Sequence, residues 1–224
     1  MTLTGQTQML AMADGVEVTV YRVPAKGRRF GGLVLLQEIF GLTDHIKEQC
    51  ERFADQGLEV IAPSLFDRQA PGLTLSYLPE DFDRAIGLMK GHELSVAVSD
   101  VQVCVKVLRD EGPVFLVGYC YGGSVSWAAA NKVDGVNAAA CYYGGMIPTL
   151  SALEPKCPTI LHFGLLDDHI PADGVETVKH SHDKAPVHLY PAGHGFNSDR
   201  RADYHEESAK LSFARTLEFF TKHG

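Results

Sequence analysis

Cys120 is the side chain in this sequence best placed for nucleophilic chemistry. It sits in Val114-Phe115-Leu116-Val117-Gly118-Tyr119-Cys120-Tyr121-Gly122-Gly123. Four apolar residues read as a buried strand, and glycines stand two residues before and after the cysteine. A turn of this kind holds a nucleophile at strained backbone angles, where flanking side chains would collide with the neighbouring strand and helix. Serine is usual at the centre. Cysteine is a chemically sensible replacement, because a thiolate is the better nucleophile at neutral pH. A cysteine after a buried strand is also a common small core residue, so its neighbours decide the reading.

Three further residues follow expected strands. Asp167 lies in Gly164-Leu165-Leu166-Asp167-Asp168-His169-Ile170-Pro171, His194 in Pro191-Ala192-Gly193-His194-Gly195-Phe196, and Glu38 in Gln37-Glu38-Ile39-Phe40-Gly41. Nucleophile, acid, then histidine is the chain order of an α/β-hydrolase triad. His194 would take the thiol proton and later activate water, while Asp167 fixes its tautomer. Asp168 competes with Asp167 and could instead cap the helix that Pro171 opens. The tetrahedral oxyanion needs two donors; the amides of Tyr121 and Ile39 are the expected pair. Glu38 stands between a buried strand and two apolar residues, a poor place for an idle charge. Near Cys120 it would disfavour the thiolate or accept the thiol proton, which makes it a candidate switch.

The elements that would position these residues alternate along the chain. Residues 15–22 alternate as a half-exposed edge strand, 33–36 form a central strand, and Thr43 caps a helix that stops at Gly57. A strand over 59–62 precedes a loop over 64–79. Helices are expected over 80–90 and, with Leu94, Ala97, Val98, Val101, Val105 and Leu108 on one face, over 94–109. Strands at 136–143, 159–163 and 187–190 alternate with helices at 171–182, where Pro171 starts the first turn, and at 202–222. Alternation from end to end implies a mostly parallel sheet with helices on both faces. Ligand sites in such sheets lie beyond the carboxyl ends of the strands, where all four candidates fall. His162 reads as a core residue; His45, His92, His180, His182, His188, His205 and His223 read as surface positions.

The 224 residues suit one domain, 1–224, and 45% hydrophobic with 21% charged residues builds a full core. A formal net charge of −8 argues against nucleic acid or an acidic membrane as partner. The start of the chain lacks the pattern of a signal peptide, and no apolar run is long enough to span a bilayer. Five unevenly spaced cysteines suggest neither a disulfide framework nor a zinc site. His169 beside two aspartates lacks a further well-spaced histidine, so no metal and no cofactor is expected. A cytoplasmic monomer is the default.

Together, Gln37-Glu38-Ile39-Phe40-Gly41, Arg68-Gln69-Ala70-Pro71-Gly72, Gly118-Tyr119-Cys120-Tyr121-Gly122-Gly123, Asp167-x-x-Ile170-Pro171 and Gly193-His194-Gly195-Phe196 resemble the dienelactone hydrolase (carboxymethylenebutenolidase) family from about residue 15 to residue 220. The resemblance implies an α/β-hydrolase fold and hydrolysis of a small carboxylate-bearing enol lactone to maleylacetate, in the breakdown of aromatic compounds. It implies a Cys120-His194-Asp167 triad working through a thioester, with Glu38 taking the Cys120 proton once substrate has bound. It also implies two arginines for the substrate carboxylate. Arg84 matches the first. The second position, four residues after His194, is Ser198, with Arg200 and Arg201 just beyond. Arg84, Phe40, Ser198 and Arg200 are therefore the expected substrate-binding set. A general small-ester hydrolase on the same triad, or a redox-sensing or ligand-binding protein using Cys120, is the alternative.

Overall fold

The computed structural model describes residues 2–224; Met1 lies outside them. The strands are β1 (Gln6–Ala11), β2 (Glu17–Val23), β3 (Gly31–Leu36), β4 (Leu58–Pro63), β5 (Val114–Tyr119), β6 (Ala138–Tyr142), β7 (Thr159–Gly164) and β8 (Val187–Tyr190). They form one sheet in the order β1-β2-β4-β3-β5-β6-β7-β8. Every pair from β4 through β8 is parallel. β2 is antiparallel to both β1 and β4. The helices are α1 (Asp44–Ala54), α2 (Pro79–Gly91), α3 (Leu94–Leu108), α4 (Tyr121–Lys132), α5 (Ala172–Ser181) and α6 (Glu206–His223).

Side chains alternate across a strand, so β3 and β5 feed two cores. Leu33, Leu35, Phe115 and Val117 cluster with Ile46 and Phe53 of α1 and Phe220 of α6. Val34, Leu36, Val114 and Leu116 cluster with Val101 and Val105 of α3 and Val125 and Ala129 of α4. Burying one such Val or Leu fully stabilises the fold by about 1.5–3 kcal/mol. This two-sided burial explains the continuous apolar runs of the central strands. Thr43 caps α1 as expected, its Oγ1 accepting from the Ile46 amide at 3.3 Å.

Several sequence expectations are corrected. The 15–22 segment is not an edge strand: β1 pairs along its outer side. β1 itself, Gln-Thr-Gln-Met-Leu-Ala, is almost wholly exposed and carries no apolar run to announce it. α6 begins at Glu206 rather than at 202, with His205 accepting from the Ser208 amide as its cap. Pro171 precedes α5 as its cap residue, and no side chain, Asp168 included, caps that helix. His45 and His182 are buried, not surface residues, while His162 lies in the core.

Candidate active site

The carboxyl ends of β3, β5, β7 and β8 converge on one site. β5 ends at Tyr119, and Cys120 follows at φ 54° and ψ −115° before α4 begins. Left-handed angles at a non-glycine residue are costly and persist only where surroundings enforce them. Here the enforcement is close packing. A Cβ at Gly118 would fall on the carbonyl group of Gly122, and one at Gly122 on the carbonyls of Leu36 and Gln37. The Cys120 amide donates to the Tyr142 carbonyl and the Gly122 amide to the Gln37 carbonyl, each at 3.0 Å. The elbow is thereby locked between β3 and β6.

His194 Nε2 lies 3.2 Å from Cys120 Sγ. Its Nδ1 lies 2.8 Å from Asp167 Oδ2. The other oxygen of Asp167 accepts from the His169 amide at 2.8 Å, so both carboxylate oxygens and both ring nitrogens are used. Burial opposes a charge on His194, but Cys120 and Asp167 outweigh it and raise its pKa to about 10. Cys120 is partly exposed, which leaves it open to a ligand. The ring of Tyr143 packs 5.2 Å from His194. Tyr143 holds φ 37°, the other positive φ at a non-glycine residue among the described residues, so a second strained residue packs against His194. His169, exposed, packs its ring 4.8 Å from His194. No sequence motif singles out Tyr143.

Ile39 turns immediately after β3, and Tyr121 is the first residue of α4. Neither amide donates to a protein acceptor among the described residues. Both are thus free to meet a developing oxyanion, and the start of α4 adds its partial positive charge.

Glu38 is completely buried. Its Oε2 accepts from the Tyr77 hydroxyl at 2.8 Å, while Oε1 has no hydrogen-bond partner and lies 3.8 Å from Arg201 Nη1. Tyr77 also meets the Thr43 hydroxyl at 3.1 Å and packs on Phe40 at 4.6 Å between ring centroids. Burial, with the charge of Glu38, raises the Tyr77 pKa far above its usual value, so it remains a donor. Sequence reasoning missed Tyr77, because a tyrosine in a loop carries no spacing signal.

The arginines are distributed differently from expectation. Arg84 is exposed on α2, and two residues of helix place it roughly 200° around from Phe82, which packs on Phe40. It forms no ion pair with Glu38, whose paired arginine is Arg201. Arg200 pairs with Asp199 and with Glu48 at the surface. Arg201, 9% exposed in its side chain, is the arginine that enters the site. Ser198 is fully buried with an unpartnered hydroxyl, and Phe40 forms an apolar wall with Tyr77 and Phe82. Arg68, part of the sequence motif, serves the fold instead, forming two hydrogen bonds to buried Asp100 at 2.6 and 2.9 Å.

No helix among the described residues is long and apolar enough to cross a membrane. The profile of the dienelactone hydrolase family matches residues 18–224. A Salmonella typhimurium protein with the provisional name carboxymethylenebutenolidase is 31% identical over 245 residues, covering 98% of this chain and 87% of that protein. Carboxymethylenebutenolidase 1 of Cupriavidus pinatubonensis is 28% identical over 233 residues, covering 92% and 96%. The crystal structure of a Klebsiella pneumoniae protein, provisionally described as a dienelactone hydrolase, superposes with a TM-score of 0.84 at 26% identity, covering 97% and 99%.

Proposed function

The chain belongs to the dienelactone hydrolase family, carboxylic ester hydrolases on the α/β-hydrolase fold, and from that footing we propose that it opens a small carboxylate-bearing enol lactone, dienelactone to maleylacetate, through a thioester on Cys120. The observation that carries this reading is the unbroken chain Cys120 Sγ, His194 Nε2 at 3.2 Å, His194 Nδ1 and Asp167 Oδ2 at 2.8 Å, set at the mouth of an enforced elbow.

The substrate carboxylate pairs with Arg201. Glu38 Oε1, 3.8 Å from that guanidinium, then loses part of its compensating charge and becomes a stronger base. It takes the proton of Cys120, and the thiolate attacks the lactone carbonyl carbon. The displaced electron pair moves onto oxygen, where the Ile39 and Tyr121 amides receive it. Collapse breaks the ring C–O bond. The enol oxygen leaves, takes the Nε2 proton of the His194 imidazolium and remains tethered through the new thioester. Acylation removes the sulfur's negative charge, one of the influences that raise the His194 pKa. The imidazole then serves as a base and takes a proton from water, which attacks the thioester. The second collapse expels the thiolate and frees the acid.

A second reading, a general small-ester hydrolase, draws support from Ser198 at the expected arginine position and from Arg200 being engaged with Glu48. Steady-state hydrolysis of cis- and trans-dienelactone, with 4-nitrophenyl acetate as the neutral ester and Cys120→Ala as control, tests both. A kcat/KM of about 10⁴ M⁻¹s⁻¹ or above on a dienelactone, lost in Cys120→Ala, supports the first. Turnover of the neutral ester alone overturns it in favour of the second.

A further inference from the structure

Among the described residues, the Tyr77 hydroxyl is the one group that donates a hydrogen bond to the Glu38 carboxylate, at 2.8 Å to Oε2. The surroundings fix the direction of that bond. Tyr77 has a single hydroxyl proton, and a charged carboxylate only accepts. The Thr43 hydroxyl, 3.1 Å from the Tyr77 oxygen, therefore donates to it. Thr43 Oγ1 in turn accepts from the Ile46 amide at 3.3 Å. One directed chain thus runs from the start of α1 through Thr43 and Tyr77 to Glu38, and hydrogen bonds in series polarise one another. Burial, with the charge of Glu38, holds the Tyr77 pKa far above its usual value, so the hydroxyl keeps its proton.

The segment that carries Tyr77 is built onto the turn that carries Glu38. Gly41 and Thr74 form a β-bridge, and the Leu75 amide donates to the Phe40 carbonyl at 2.9 Å. A Cβ at Gly41, φ 86°, would fall on the Leu73 carbonyl oxygen, so glycine permits this close approach. Behind the segment, Asp67 accepts from the Ser64 hydroxyl and from the Thr19 and Gly72 amides, and Arg68 holds Asp100. The other groups acting around Glu38 are few. Arg201 Nη1 lies 3.8 Å from Oε1. His45, Tyr119 and Tyr143 also feel its charge, but burial lowers the His45 pKa and raises those of the two tyrosines, so all three are neutral at neutral pH. Arg201 thus supplies the countercharge and Tyr77 the hydrogen bond.

We propose that Tyr77 is a positioning residue for Glu38: its hydroxyl holds Oε2 and so reserves Oε1 as the oxygen that takes the Cys120 proton. This rests on the role of Glu38 proposed above. As the Cys120 S–H bond breaks, an O–H bond forms on Oε1, while Oε2 stays bonded to Tyr77. The proton returns to the sulfur when the second collapse expels the thiolate, so the chain of hydrogen bonds ends as it began. A donor on a carboxylate also favours its charged form. Its removal brings protonation of the base in at higher pH and leaves the carboxylate free to turn.

The test is Tyr77→Phe, which keeps the ring on Phe40 and removes the hydroxyl. The pH profile is measured with cis-dienelactone and with 4-nitrophenyl acetate and read on whichever is turned over. The acid limb of kcat/KM is expected to move up by about one pH unit, and the plateau kcat to fall about tenfold with KM unchanged. A parent-like profile overturns the proposal. So does a lower kcat with an unmoved acid limb, which marks a merely structural loss. Thr43→Ala is expected to move the limb in the same direction by less; an unmoved limb there overturns the orienting part of Thr43. Full activity in Glu38→Gln overturns the reading of Glu38 itself, whereas a defective Glu38→Gln beside a parent-like Tyr77→Phe overturns the positioning role alone. In the Glu38→Gln background, Tyr77→Phe is expected to change neither plateau nor profile, and a further loss there overturns action through Glu38.

Discussion

Glu51 and Glu38 are both fully buried carboxylates, and their surroundings treat them in opposite ways. Glu51, on α1, accepts from the Thr4 amide at 2.6 Å, the Thr4 hydroxyl at 2.7 Å, the Gly5 amide at 2.9 Å and the Tyr21 hydroxyl at 2.9 Å, and pairs with Lys26 at 3.2 Å. Burial pushes its pKa up, yet the hydrogen bonds win and bring it down to about 2. Glu38 has one hydrogen bond, from Tyr77, and an oxygen left over. His45 Nε2, the Tyr119 and Tyr143 hydroxyls, the Ser198 hydroxyl and both polar atoms of Asn197 are also buried and unpartnered. Each such group costs about 1–3 kcal/mol, and the rest of the fold offsets that cost. A saturated carboxylate stitches the chain together. An unsaturated one is kept available for a ligand or a proton. The triad resembles Glu51 in this respect, since every polar atom of His194 and Asp167 is used.

The largest effect expected on the saturated side is at the triad. Asp167→Asn keeps the fold but supplies the wrong hydrogen-bond polarity to His194, and kcat should fall about 10⁴-fold; parent-like turnover would remove Asp167 from the mechanism. Next in size is Glu51→Gln, which should cost about 2–3 kcal/mol of stability at pH 7, read by denaturant unfolding, with kcat unchanged. The sign follows from the lowered pKa. The contribution is present above the unfolded value of about 4.5 and is lost as pH falls through about 2, so parent and variant should converge in acid. Glu38→Gln should show the reverse pattern: stability retained or improved, and kcat reduced about 100-fold on a carboxylate-bearing lactone. Equal stability losses in the two glutamine variants would erase the contrast. The smallest effect is at Arg201. Arg201→Ala should raise KM for anionic lactones about tenfold and leave neutral esters alone, while Arg200→Ala should change neither.

The elbow was legible because its chemistry is written in adjacent residues: glycines at 118, 122 and 123 answer to backbone contacts that admit no Cβ. Asp167 and His194 were legible because each directly follows a strand whose apolar run is visible, and α/β topology brings those ends together. The β1 edge was not, because an exposed edge strand of polar residues needs only a partner's backbone. His45 was misread as surface because the first turn of α1 is polar in sequence, and its burial depends on residues around 199 that are distant in the chain. The choice between Arg200 and Arg201 depended on side-chain direction in a loop, which no periodicity records. The pairing of Arg68 with buried Asp100 went unread as well; burial raises the Asp100 pKa and Arg68 opposes that.

The central claim is that Cys120 carries the acyl group, and mass spectrometry of the acid-quenched enzyme during turnover of cis-dienelactone tests it most directly. The account predicts a thioester adduct on the peptide containing Cys120, present in the parent, accumulating in a variant such as His194→Asn with impaired deacylation, and absent in Cys120→Ala. Turnover that persists in Cys120→Ala, or an adduct on any other residue, would contradict it.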